Sequence, residues 1–472
     1  MPFPDAQRRM TDVTRVLAEY VCDFEASDVP GDVADRVSLH LVDTVAATVV
    51  GASMPWTDSV RHYALSESAT GSSSAVGVEA SLRPEYAAMV NATAAHGFEI
   101  DDYALPALSH AGCVVVPAAL AVAEDIGAST AEFNTALALG YEVVLRLSAA
   151  MTPALTSVRS FHVTSVLGVI GAAVTAARLH RLDRTSVAHA LGIAAAHAGG
   201  TAEFTRSGGD VKRIHAGMAA AGGIRSAALA RHGCTAPARS IEGERGYLAA
   251  FSSEADASIV TGGLGTRWLV DQLAIKKYSV CGGLQAPLAA LAELRAAGLD
   301  TDAVESISVG LDRATLAHVG SIGPEPETLT SAQLSVHHAA ATMLILGGTD
   351  PQHYSALADS PTLQGQVAAL ARRVTAYVDD AAQLHFPRRL FAEVSIDVRG
   401  SDRATVRAEA PGTPHRSMST DEVHAKFHRL TTPILGESAG AALLDAALLP
   451  AGATVTGIGS KLKTIPKGKW PT

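Results

Sequence analysis

The chain has 472 residues, is 48% hydrophobic and 5% aromatic, and carries a formal net charge of −10. That length exceeds what one simple core serves and suggests two domains. The acidic balance leaves no basic footprint for nucleic acid, while abundant Ala and Gly suit helices that pack closely through small residues.

Residues 11–25 place Val13, Val16, Leu17, Tyr20, Val21 and Phe24 three and four apart, which predicts a first helix. Pro30-Gly-Asp opens a second, through Leu39, Leu41, Val42 and Val45 towards Gly51. The apolar run from Cys113 to Glu124 reads as a buried helix. Residues 135–151, 163–179 and 216–232 continue the helical pattern, separated by Gly127, Gly199-Gly200, Gly208-Gly209 and Gly233. Near Lys276 the period changes. Residues 304–311, 392–398 and 404–408 alternate as strands, with Gly400-Ser-Asp as a hairpin turn, and helical segments fall at 286–297 and 334–346. Ser419-Thr-Asp-Glu422 has the form of a capping box and opens a closing helical stretch, 423–449. The expected fold is mostly α. A large, discontinuous all-helical domain (1–272 and 411–472) carries an inserted, smaller α+β lid domain (273–410).

Cys22, Cys113, Cys234 and Cys281 form no CxxC pair, which points to free thiols in a reducing compartment. The opening Met-Pro-Phe-Pro-Asp-Ala-Gln-Arg-Arg lacks the apolar segment of a signal peptide. No apolar run is long enough to span a bilayer, so the expectation is a soluble cytoplasmic protein. Lys461, Lys463, Lys467 and Lys469 read as a solvated tail.

Four clusters carry reactive side chains. His96-Gly-Phe-Glu99-Ile-Asp101-Asp102-Tyr103 with Ser109-His110 gathers carboxylates and imidazoles at the mouth of a core helix, where burial can tune proton transfer. A capping acidic turn with a surface histidine is the other reading. Phe161-His162-Val-Thr164-Ser165 stands at a helix start, able to bind an anion or simply to cap. Lys212-Arg213-Ile-His215 precedes a small-residue helix and suits holding carboxylates, or reads as a solvated basic turn. Lys276-Lys277-Tyr278 and Gln285 flank a Gly-Gly turn of functional or plain surface character. His189 and His197 read as core or interface histidines, and His337-His338 as structural. No metal-ligand spacing, phosphate loop or dinucleotide fingerprint is present.

In this order the clusters resemble the MmgE/PrpD family, which contains 2-methylcitrate dehydratases, cis-aconitate decarboxylases and iminodisuccinate epimerases. Leu41-Val-Asp43-Thr44 is similar to its "LLDTLG" helix, and residues 96–124 to "HALDFDD…HPG-AVVVPAALALAE". Phe161-His162 with Gly168 is similar to "GFHPT…GTLG", Lys212-Arg213-Ile-His215-Ala-Gly217 to "KRLHPG", and Ile275-Lys276-Lys277-Tyr278 to "FKPYP". The resemblance implies a large helical domain, an α+β lid, a dimer and a cofactor-free site between the domains. In the decarboxylase branch the site uses an Asp, a Thr, two His and two Lys. Here the Asp position falls on Glu99, the Thr on Tyr103, the His on His110 and His162, and the Lys on Lys212 and Lys276. Where many relatives read "YPCCRFTHP", this chain lacks the Arg and the His, and Gln285 stands roughly where the His would be.

The expected activity is that of a cofactor-independent lyase on a small di- or tricarboxylate, acting next to a carboxylate. Dehydration leads, with decarboxylation or epimerisation as alternatives and a non-catalytic carboxylate-binding dimer as the alternative of another class. His110 and His162 are expected as base and acid, with Glu99 or Asp102 orienting one of them. Lys212 and Lys276, supported by Arg213, are expected to steady developing charge. Tyr103 belongs to the catalytic set, and Asp102, Thr164, Ser165, His215, Lys277, Tyr278 and Gln285 to the substrate-binding set. No metal or cofactor is expected. The partners expected are a carboxylate substrate and a second copy of the chain, with no nucleic acid and no membrane.

Overall fold

The computed structural model describes residues 12–68, 70–105, 109–450 and 453–466. Met1 to Arg9, Lys467 and Lys469 lie outside them. The first part of the chain runs α1 (Val13–Asp23), α2 (Gly31–Gly51), α3 (Pro55–Glu67), α4 (Pro84–Ala95), β1 (Tyr103–Ala104), α5 (Gly112–Ile126) and α6 (Thr130–Met151). It continues α7 (Ala154–Ser157), α8 (Val163–Leu179), α9 (Arg184–Ala196), α10 (Phe204–Ser207), α11 (Val211–Arg231), α12 (Tyr247–Phe251), α13 (Ala257–Thr261) and β2 (Leu273–Ala274). The middle holds α14 (Gln285–Ala296), β3 (Val304–Leu311), α15 (Arg313–Val319), α16 (Leu329–Leu334), α17 (Val336–Leu346), α18 (Pro351–Asp359) and α19 (Pro361–Ala371). β4 (Val374–Val378), α20 (Asp380–His385), β5 (Phe391–Val398) and β6 (Ala404–Glu409) complete it, and α21 (Thr420–Leu435), α22 (Glu437–Ala447) and α23 (Thr456–Lys463) close the chain.

The fold is mostly α, and its helices sit close because small residues line their contacts. A Cβ on Gly217 of α11 would collide with Thr93 and Met89 of α4, and one on Gly223 with Ala172 and Ala173 of α8. The centre of the first part, α4, α5, α8 and α11, is buried almost throughout. A four-stranded sheet, ordered β4-β3-β5-β6, pairs β3 parallel with β4 and antiparallel with β5. Helices α14 and α17 pack against it. After the sheet the chain returns, and α21 and α22 pack on α2 while α23 packs on α5.

Several expectations change. α11 begins at Val211, so Lys212, Arg213 and His215 lie inside the helix rather than ahead of it. The stretch 334–346 is divided at Ser335, whose side chain caps α17 by accepting from the His338 amide. The closing stretch breaks at Gly436, which takes φ +79°. Strand β4 lies outside the predicted strands, because its outward-facing Tyr377 weakens the polar–apolar alternation. Lys461 and Lys463 belong to α23, and Lys463 donates to Ser81 at 3.1 Å rather than trailing in solvent. Among the described residues no single helix is long and apolar enough to cross a membrane. The pair α2 and α3 has the length together but bends by 91°.

Candidate active site

The site forms where α4 ends. His96 closes that helix, and the chain turns through residues 97–102 into β1, which pairs antiparallel with β2 (Tyr103 with Ala274). This pairing carries Lys276, two residues past β2, onto the turn. Glu99 adopts φ +57°, a left-handed conformation that costs a non-glycine residue on the order of 1–3 kcal/mol and persists only where the surroundings hold it. Here three cations hold it. The Glu99 carboxylate accepts from Lys212 and Arg213, and Lys276 Nζ lies 3.4 Å from its other oxygen and 3.1 Å from its carbonyl. All four side chains are buried.

Arg213 is held further by Thr330 Oγ1 (3.2 Å) and Gln333 Oε1 (3.3 Å), both from α16. Gln333 in turn donates to the Phe98 and Ser279 carbonyls at 2.9 and 3.0 Å. The middle of the chain thus closes directly over the turn. Burial, then the neighbouring charges of Arg213 and Lys276, push the Lys212 ammonium down. Burial also lowers Lys276, against the opposing pull of Asp101. Arg213 is brought down to about 10, chiefly by burial.

Beside the cations lie four imidazoles. Asp101 Oδ2 is 2.7 Å from His96 Nδ1 and 3.1 Å from His110 Nδ1, and the Asp102 carbonyl is 2.6 Å from the same His110 nitrogen. A carboxylate and a carbonyl only accept, so both neutral rings carry their proton on Nδ1 and leave Nε2 as a base. Burial pushes the Asp101 carboxyl up, but His110, His96 and Lys276 outweigh it and hold it well below the usual range. His162, at the start of α8, stacks on His96 with centroids 5.6 Å apart and planes at 26°. Its Nδ1 lies 3.1 Å from Nδ1 of His215. Burial pushes His96 and His162 far down as bases and His215 down to a lesser extent.

The structure therefore gathers Glu99, His110, His162, Lys212, Arg213, His215 and Lys276 around one buried centre. Thr164 joins them by accepting from the His110 amide at 3.3 Å, and Ser165 lies beside Gly200 next to His215. Other expected members stand apart. Glu99 does not orient a histidine, since cations occupy it; Asp101 does so instead. The Asp102 side chain accepts from the Gly112 amide at 3.0 Å and faces His40 at 3.4 Å, so it holds the start of α5. The Gln285 amide is fully engaged with backbone, accepting from the amides of Lys277 and Tyr278 (3.0 Å each) and donating to the Tyr278 and Val280 carbonyls. It builds the loop and has nothing left for a ligand. Lys277 is exposed over the Tyr278 ring. Tyr103 is wholly buried with no partner for its hydroxyl among the described residues.

Sequence reasoning also passed over His96 and Asp101 as site residues, although both stand in the quoted motif. Gln333 and Thr330 gave no local signal. His96, Asp101 and Cys113 bring one potential ligand atom each within 4.8 Å of one another. They fit a metal poorly. Asp101 already serves two imidazoles, Lys276 stands 3.7 Å from its second oxygen, and burial keeps the Cys113 thiol protonated.

A buried cluster of cations and imidazoles between a helical core and an α+β layer defines a class of carboxylate-handling enzyme. The model of the MmgE/PrpD N-terminal domain matches residues 15–260 and that of the C-terminal domain residues 278–448, so the chain belongs to the MmgE/PrpD family and is an enzyme of lyase type. It is 26% identical over 447 residues to the cis-aconitate decarboxylase of Aspergillus terreus, covering 90% of each chain. It is 26% identical over 445 residues to human cis-aconitate decarboxylase, covering 90% of this chain and 88% of the human one. It is also 29% identical over 358 residues to a cis-aconitate decarboxylase-like protein of Aspergillus oryzae, covering 71% and 74%.

Proposed function

We propose that the protein is a lyase for a small di- or tricarboxylate, and that it works without a metal or organic cofactor. The observation that carries this reading is the convergence of Lys212, Arg213 and Lys276 on a single buried carboxylate, Glu99. Glu99, with Asp101 at 3.7 Å from Lys276, offsets two of the three cations, so the centre has capacity for a substrate carboxylate and for the enolate-like charge that forms beside it. His110 and His162 serve as acid and base, each able to pass a proton through its Nε2. Asp101 orients His110.

Decarboxylation of a cis-aconitate-like acid is the first reading, supported by the full-length relatives. A C–CO2 bond breaks, its electron pair passes into the adjoining unsaturated acid, and an imidazolium returns a proton to carbon. Dehydration of a 2-methylcitrate-like hydroxy acid is the second, supported by the free Nε2 bases that Asp101 creates. There a base removes the proton next to a carboxylate and an acid protonates the departing hydroxyl. Epimerisation of an iminodisuccinate-like acid would use the same carbanion.

Proton NMR in D2O with cis-aconitate, 2-methylcitrate, citrate and iminodisuccinate tests these readings. CO2 release with a new vinylic pattern from cis-aconitate supports the first. Vinylic protons arising from a hydroxy acid support the second, and deuterium wash-in without net change supports epimerisation. Binding without turnover across the panel would overturn the catalytic reading. The same proposal takes the protein as a cytoplasmic homodimer, with a helical domain (1–272 and 411–472) interrupted by a lid domain (273–410) that closes the site.

A further inference from the structure

His215 has no role in the chemistry above, yet its ring meets the ring of His162 nitrogen to nitrogen. The two Nδ1 atoms are 3.1 Å apart. Two lone pairs cannot face one another at that distance, and two N–H groups would clash. One proton therefore lies between them, donated by one ring and accepted by the other.

This contact couples the far nitrogens. If His215 donates, His162 carries its own proton on Nε2 and is an acid. If His162 donates, its Nε2 is a free base. When His162 gives its Nε2 proton to the substrate, the shared proton crosses from His215 to His162 Nδ1 and His215 takes up a proton from solvent on Nε2. Both rings end neutral, and the role of His162 is exchanged without leaving a charged imidazolium in place.

The surroundings favour such an exchange. His162 is packed against His96, faces His110 and Asp101, and is covered by Phe204 at 5.0 Å between centroids. A lasting positive charge there would be poorly solvated and would face other imidazoles. His215 is 9% exposed against 6% for His162, and it stands on a helix whose outward residues Val211 and Met218 are 44% and 50% exposed. Phe204 lies against it too, at 6.1 Å, so one aromatic ring covers both imidazoles.

We propose that His215 is a positioning residue that sets the tautomer of His162 and relays its proton between the buried site and solvent. The inference rests on the reading of His162 as acid or base.

Two measurements test it. The first needs no substrate. In protein labelled with 15N-histidine, resonances of the pair are assigned by their loss in His162→Ala and His215→Asn. One ring of the pair is expected to show the Nδ1–H form. If both rings carry their only proton on Nε2, the relay is wrong.

The second compares pH profiles of kcat on whichever acid of the NMR panel is turned over. His215→Asn keeps a polar group near the Nδ1 position but cannot titrate. It is expected to lower kcat by about tenfold or more, to leave KM within about twofold, to shift the pH profile, and to be partly rescued by added imidazole. Wild-type kcat in His215→Asn beside a large loss in His162→Ala would overturn the relay while the acid–base reading stands. A loss of kcat with an unshifted profile and no rescue would make His215 merely structural. Wild-type kcat in His162→Ala would remove the acid–base reading and the relay with it.

Discussion

Glu99 concentrates the electrostatics of the site in one residue. Three buried cations face its carboxylate, so Glu99→Gln leaves Lys212 and Arg213 without a counter-charge and Lys276 with Asp101 alone, 3.7 Å away. Breaking a buried pair in this way costs about 3–5 kcal/mol. A carboxylate added from solution can replace part of what is lost, since a ligand bound only by the folded state stabilises it. Citrate is therefore expected to raise Tm more in Glu99→Gln than in the wild type, as read by thermal unfolding with and without it. Equal increments would show that the cations do not bind external carboxylate. Lys276 reaches the turn from beyond β2 and touches the Glu99 carbonyl at 3.1 Å. Lys276→Ala is expected to reduce kcat by about 10²–10³ and to weaken substrate binding far less. Lys276→Arg should recover little, because a planar fork does not replace a compact ammonium. Steady-state kinetics with calorimetric binding separates the two effects, and a kcat near wild type would make Lys276 structural. His162→Ala is expected to lower kcat by about 10²–10⁴. His197, exposed at the end of α9 with its ring bonded to the Ile193 carbonyl at 2.7 Å, should tolerate Ala without loss of kcat.

At the scale of elements, the reactive turn is pinned from both ends of the chain. Lys426 of α21 is buried and donates to the Ile100 carbonyl at 3.0 Å while it pairs with Asp43 of α2 at 2.5 Å. The closing helix thereby holds the middle of the turn that presents Glu99 and Asp101. Lys426→Met removes both contacts and leaves Asp43, whose carboxyl burial already pushes up, without its cation in the core. The expected loss is about 3–5 kcal/mol in urea unfolding. Adding Asp43→Asn should return part of it, because the unpartnered buried carboxyl is gone, and a double-mutant cycle measures the coupling. Strictly additive losses would mean that the pair does not interact.

Across the whole molecule, burial has collected imidazoles that resist protonation. His96, His162 and His215 are all lowered, and His338, stacked on Tyr354, is brought down to about 4. An unfolded histidine titrates near 6.5. Between that value and the folded one the unfolded chain binds more protons, so stability rises with pH. The contribution is complete above about pH 6.5 and is lost as pH falls towards 4. Asp101, also held low, acts in the same direction only below about pH 4, under the unfolded carboxyl value. Tm is expected to fall steadily from pH 7 to pH 5, and His338→Phe should flatten the slope by removing one of these groups. A Tm that is level or rising towards pH 5 would contradict the burial of neutral imidazoles.

Local rules made much of this legible in the sequence. Spacing of three and four residues marked α1, α2, α8 and most of α11; alternation marked β3, β5 and β6; and Ser419 with Glu422 marked the start of α21. Each depends on neighbours within one or two turns, which a one-dimensional reading contains. The same reading singled out Lys212, Lys276, His110, His162 and His215, because their chemistry is intrinsic to the residue type. What each group does with its hydrogen bonds is decided only by packing. Asp101 rather than Glu99 orients the histidines because of where the turn points. Gln285 closes its own loop because the backbone of residues 277–280 folds back onto it. His162 meets His215 across 53 residues, and Lys426 meets Ile100 across 326. Such partners are chosen by distance in space, and burial by the sum of all elements around a group, so neither is written in any single stretch of chain.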